Sequence, residues 1–109
     1  MTAVIRWKRP EAGGRHTPPG ANYRTLAHFA ADKSWPDPAW TLVVNNRWYS
    51  PAGEITVAEI QFLVDDAPQH LLAPGAKFEL VEGNRVVASG VVMPAERTLD
   101  QIEQLAEAI

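Results

Sequence analysis

Chemistry in a protein needs side chains that ionise, attack or bind metal, at spacings that let them meet. This chain has 3 histidines and no cysteine. His16, His28 and His70 stand far apart, without the i, i+4 helical pairing of a zinc hydrolase. With no thiol, cysteine–zinc sites, disulfides and thiol catalysis are excluded. Asp65 and Asp66 are adjacent, so on a strand they would point to opposite faces, and they read as turn formers. Ser34, Ser50 and Ser89 occupy no nucleophile elbow. Glu82-Gly83-Asn84-Arg85 lacks the glycine spacing and Lys-Ser/Thr of a phosphate loop, so no nucleotide is expected. The sequence therefore predicts no enzyme, no metal and no cofactor.

Charge and aromatic rings are more informative. In residues 1–28, Arg6, Lys8, Arg9, Arg15 and Arg24 face Glu11 alone, a balance of +4; the rest carries −7, for the net −3. A basic segment on an acidic body can face a polyanion or a charged partner. Of the 4 tryptophans, Trp7 fits the core face of a strand. Trp35 and Trp40 flank a proline-rich turn and are expected to cap a barrel end. Trp48-Tyr49 follow Arg47 in a turn region, where aromatics can anchor a partner.

These residues need elements to hold them. The 109 residues suit one domain, and 46% hydrophobic with 21% charged residues is the composition of an ordinary globule. No apolar run approaches a membrane span, and the first residues lack the pattern of a signal peptide. We therefore expect a cytoplasmic protein with no membrane contact. Thr2 to Lys8 alternates, with Ala3, Ile5 and Trp7 on one face. Arg9 to Asn22 is a loop rich in glycine and proline. Tyr23–Ala31, Trp40–Asn45 and Glu54–Val64 read as strands, the last with an offset near Ala58-Glu59 that suggests a bulge. Phe78–Val81 and Arg85–Met93 form a hairpin. Many short strands between turns mean an all-β barrel or sandwich. The tail changes period: Leu99, Ile102, Leu105, Ala106 and Ile109 recur at helical spacing behind a Thr98/Gln101 capping box. We expect a short C-terminal α-helix over residues 96–109, packed on a barrel formed by residues 1–95.

Two blocks carry a resemblance. Gly13-Gly14-Arg15-His16-Thr17-Pro18 with Tyr23-Arg24 resembles the start of the third domain of bacterial elongation factor Tu. Phe78, Glu82-Gly83, Arg85-Val86-Val87 and Gly90-Val91-Val92 resemble its last hairpin, in the same order along the chain. The resemblance spans roughly residues 3–93 and implies a six-stranded antiparallel Greek-key β-barrel. In that family this barrel contacts the T-stem backbone of tRNA and docks on neighbouring protein surfaces. Arg15, His16, Arg24, Glu82 and Gly83 fall on its tRNA-contacting positions. Leu26 stands where the family has a glutamine, and Asn84 where it has a second glycine. No GTPase domain or second barrel lies in these 109 residues, which implies a free-standing relative of one domain. The acidic body and lost glutamine weaken the case for nucleic acid. The expected function is a non-catalytic module for protein–protein interaction, using those five residues and Trp48 and Tyr49. The alternative is a weak tRNA or RNA binder using the basic first loop.

Overall fold

A computed structural model describes residues 1–9, 11, 20–50, 54–94 and 99–109. Strands β1 (Thr2–Trp7), β2 (Asn22–Phe29), β3 (Trp40–Tyr49), β4 (Ile55–Phe62), β5 (Lys77–Glu82) and β6 (Arg85–Met93) precede one helix, α1 (Leu99–Glu107). The strands close into an antiparallel barrel in the order β1-β4-β3-β2-β5-β6. The meander β2-β3-β4 is followed by β5, which returns to lie beside β2, and this is the Greek-key arrangement. Closure leaves no unpaired strand edge.

Alternation decides which side chains fill the interior. Ala3, Ile5 and Trp7 of β1 point inward with Tyr23, Ala27 and Phe29 of β2 and Leu42 and Val44 of β3. Phe29 meets Phe62 and Phe78 at ring-centroid distances of 5.7 and 5.1 Å. Gly90 is fixed by this contact: a Cβ there would stand 2.7 Å from Phe78 Cε2, too close for any side chain.

A second apolar cluster lies outside the barrel. Val4, Val91 and Met93 face outward and are buried under Ile102 and Ala106 of α1, with Ile55 and Val57 at the margin. An isolated helix of this length is marginal in water, so this wall is what holds it. Arg6 adds a polar clasp, donating from Nε and Nη2 to the Ala106 carbonyl at 3.1 and 2.8 Å. Val4, on the face of β1 opposite Ala3, Ile5 and Trp7, is therefore fully buried as well.

The bulge expected near Ala58-Glu59 has its extra residue on the partner strand β3, opposite Val57 and Ala58, and not on β4. Strand β4 alternates without a break against β1, with Thr56, Ala58, Ile60 and Phe62 inward. Its apparent offset arises because Ile55 and Val57 serve the helix-covered wall while Ile60 and Phe62 serve the interior. The irregularities fall at Arg47 in β3, where pairing skips from Asn46↔Ala58 to Trp48↔Val57, and at Val87 in β6. Residues 46–49, expected in a turn, extend β3 through this bulge. Thr98 of the capping box lies outside the described residues.

Candidate functional site

Antiparallel order sends neighbouring strands in opposite directions, so the ends of β1, β3 and β5 share one end of the barrel with the starts of β2, β4 and β6. Connections 8–21, 50–54 and 83–84 gather there. Connections 30–39 and 63–76 occupy the opposite end. The two glycine-marked segments of the sequence thus leave the barrel at the same end.

Polar tethers tie that end together. Trp7 Nε1 donates to Thr56 Oγ1 at 3.1 Å, and the Trp7 ring meets Tyr23 edge-on at 5.5 Å. The Tyr23 hydroxyl donates to Glu82 Oε2. Thr25 Oγ1 donates to the Val81 carbonyl at 2.5 Å. The 8–21 connection is pinned where it departs, by Lys8 N–H to the Val87 carbonyl at 2.9 Å. It is pinned where it returns, by Asn46 N–H to Ala21 O and Asn46 Nδ2 to Gly20 O, both at 3.0 Å. Gly83 has φ +64° in the two-residue turn between Glu82 and Arg85, where glycine takes the left-handed backbone at no steric cost.

Arg24 is exposed. It follows Tyr23, whose hydroxyl bonds Glu82, so Arg24, Glu82 and Gly83 belong to the same end of the barrel. Arg15 and His16 lie outside the described residues. Trp48 and Tyr49 belong to the same end but lie on the far side of β2, at the close of β3. The bulge at Arg47 pairs Trp48 with the outward Val57. Both rings are 38% exposed. Trp40 packs against the interior cluster as expected of a cap, whereas Trp35 stacks on His28, with centroids 4.7 Å apart and planes 7° from parallel.

Leaving aside Glu103 and Glu107 of α1, which border Trp48 and Ser50, the charge of the strands and connections divides by end rather than by segment. Lys8, Arg9, Arg24, Arg47 and Arg85 are all exposed at the loop-gathering end, with Glu11, Glu54 and Glu82. Asp32, Asp37, Asp65 and Asp66 lie in the connections of the opposite end, with Lys33 and Lys77. Arg9 Nε donates to Glu54 Oε1 at 2.6 Å, and this bond with the Glu54 charge holds the guanidinium above its ordinary pKa. Arg85 approaches Glu82 at 3.8 Å. Among the described residues, Lys8, Arg24 and Arg47 form no ion pair. The sequence reading missed Arg47 and Arg85, because both belong to the stretch that reads as an acidic body. The available signal was strand direction: each sits where its strand meets the end that receives Lys8 and Arg24.

Among the described residues, no three His, Asp or Glu side chains cluster as metal ligands, and no helix is long and apolar enough to cross a membrane. The arrangement that remains is a hydrogen-bonded end carrying cations and two part-exposed aromatic residues. No known protein family matches the chain, and no curated protein matches it.

Proposed function

We propose that this chain is a non-catalytic binding module whose partner is a protein, engaged by the loop-gathering end. The observation that carries the reading is that Trp48 and Tyr49, next to the exposed Arg47 at the close of β3, are each 38% exposed at the end of the barrel that also carries Arg24 and Arg85. Tryptophan, tyrosine and arginine are the residues that dominate binding energy at protein interfaces. The hairpin bearing the rings is fixed by Ser50 N–H to Ile55 O at 2.8 Å and Ile55 N–H to Ser50 Oγ at 3.1 Å. Anchors held in advance lose less entropy on binding. Kinship with the third domain of elongation factor Tu is part of the proposal, resting on the two sequence blocks that leave the barrel at one end. A cysteine-free chain suits the reducing cytoplasm.

The test uses the whole chain as bait in native lysate treated with ribonuclease. One protein should be retained in stoichiometric amount and lost when Tyr49→Ser is combined with Arg24→Glu. Recovery of RNA alone, before nuclease treatment, overturns the reading in favour of the second one. That second reading, a weak RNA binder, is favoured by Lys8, Arg24 and Arg47, whose charges no carboxylate neutralises among the described residues. It predicts tRNA binding that weakens steeply with salt and little discrimination between sequences.

A further inference from the structure

A groove of about 280 Å³ runs between α1 and the outer wall of the β3–β4 hairpin. Trp48, Ile55, Ile102 and Ala106 line it as apolar surface, and Glu103 and Glu107 line it from the helix. The two glutamates stand four residues apart, so they occupy one face of α1. Both are exposed and neither forms an ion pair among the described residues. Arg6 also borders the groove, but its guanidinium is committed to the Ala106 carbonyl through two hydrogen bonds. Trp48 reaches this wall only because of the extra residue at Arg47; regular alternation after the inward Asn46 would turn it the other way.

These surfaces match one kind of side chain. A lysine or arginine has an aliphatic stem that covers apolar surface and a cationic head that seeks an aromatic face or a carboxylate. Ile55, Ile102 and Ala106 offer the first; the Trp48 indole and the Glu103 and Glu107 carboxylates offer the second. Arg6 keeps its charge when bonded to a neutral carbonyl, so the lining carries two carboxylates against one guanidinium, and an acidic or phosphorylated segment would meet the net negative balance.

We propose that this groove receives a lysine or arginine side chain of the protein partner, presented beside an aliphatic residue. The inference rests on the binding-module reading and assigns the chemistry of one contact within it. It also accounts for a helix whose outward residues are acidic next to a strand end whose free charges are basic: the partner surface must be mixed in sign.

A random dodecapeptide library displayed on phage, selected on the full chain, tests this. Enriched peptides should share a lysine or arginine next to an aliphatic residue. Fluorescence polarisation with one such synthetic peptide should show affinity falling about tenfold for Trp48→Ala, and by a similar factor for Glu103→Gln combined with Glu107→Gln. Asp66→Asn, exposed in the connection at the opposite end of the barrel, should leave it unchanged. The glutamine pair alters only exposed positions, so its effect is separable from folding. Failure to enrich any peptide, enrichment of acidic or neutral ones, or basic peptides indifferent to both variants overturns the proposal. The module reading falls separately, only if the lysate experiment retains no protein.

Discussion

The two ends of this barrel are closed by the same means, aromatic side chains turned inward, yet they differ in what those rings touch. At the acidic end Phe29 meets Phe62 and Phe78, and Phe78 lies over Gly90. Nothing polar is involved. At the basic end Trp7 and Tyr23 each carry a hydrogen-bonding tip, one bound to Thr56 and one to Glu82. The hydrocarbon plug only seals. The tethered plug links the interior to the turn beside Arg24. The same economy therefore serves two purposes: a polar tip on a core residue fixes the loops in which partner-facing groups stand.

The sharpest break of the comparison is at the hydrocarbon end. Phe78→Ala should cost about 3–5 kcal/mol, because transfer energy and a cavity add. Gly90→Ala should also be strongly destabilising, since the new methyl overlaps the Phe78 ring. Combined with Phe78→Leu it should cost less than the sum of the two single changes, because the clash shares one partner. Denaturant unfolding of Gly90→Ala, Phe78→Leu and their combination measures this, and strict additivity would contradict the packing described.

Tyr23→Phe should do less and do it differently. The ring still fills its place, but Glu82 loses a donor, for about 1–2 kcal/mol. Hydrogen exchange should quicken at Val81 and Glu82, with no change at Phe29 or Phe78. Uniform loss of protection along the barrel would show that the tether does not act locally.

Charge sharpens the contrast without touching stability. Arg24→Glu with Arg47→Glu lies at exposed positions, so unfolding should shift by no more than about 0.5 kcal/mol. Retention on a heparin column should nonetheless fall to a lower salt concentration. Asp65→Lys with Asp66→Lys at the other end makes an equal charge change of the opposite sign, and should raise retention less than the first pair lowers it. Equal and opposite shifts would mean that net charge alone matters and that the ends are not distinct.

Much of this architecture was legible in the sequence, and the misses have physical causes. The alternation of Ala3, Ile5 and Trp7, the Gly83 turn and the helical period of the tail each follow from local rules, and every expected strand is present, though β3 runs past its expected end. Local rules cannot see a second layer. Val4, Ile55 and Val57 break the simple inside–outside pattern because α1, some 45–100 residues away in the chain, covers their face. The same blindness misplaced the bulge and ended β3 too early. The basic end was half legible: Lys8 and Arg24 lie in an obviously basic segment, whereas Arg47 and Arg85 join them only through strand direction. Arg15 and His16 lie outside the described residues, and Arg24, Glu82 and Gly83 share one end through the direction of β2 and β5.

The smallest effect belongs to a single carboxylate at the acidic end. Asp32 Oδ1 accepts from the Ser34 hydroxyl at 2.7 Å and from the Ser34 N–H at 3.0 Å. These bonds, the hydroxyl first, hold its pKa below the ordinary 3.8, and the His28 charge adds to the shift. A lowered folded-state pKa means stability that is complete above the unfolded value and lost as pH falls through the folded one. The loss should therefore begin below about pH 4. Asp32→Asn keeps an acceptor for Ser34 and removes the titration, so at pH 7 it should cost no more than about 0.5 kcal/mol. Between pH 4 and pH 2 its melting temperature should fall less steeply than that of the parent chain. Thr25→Val, which removes a hydroxyl tether at the basic end, should lower stability at every pH and leave that slope intact, because no proton is bound or released. Parallel acid limbs for parent and Asp32→Asn would show that this turn stores no charge-dependent stability, leaving the acidic end with geometry as its sole contribution.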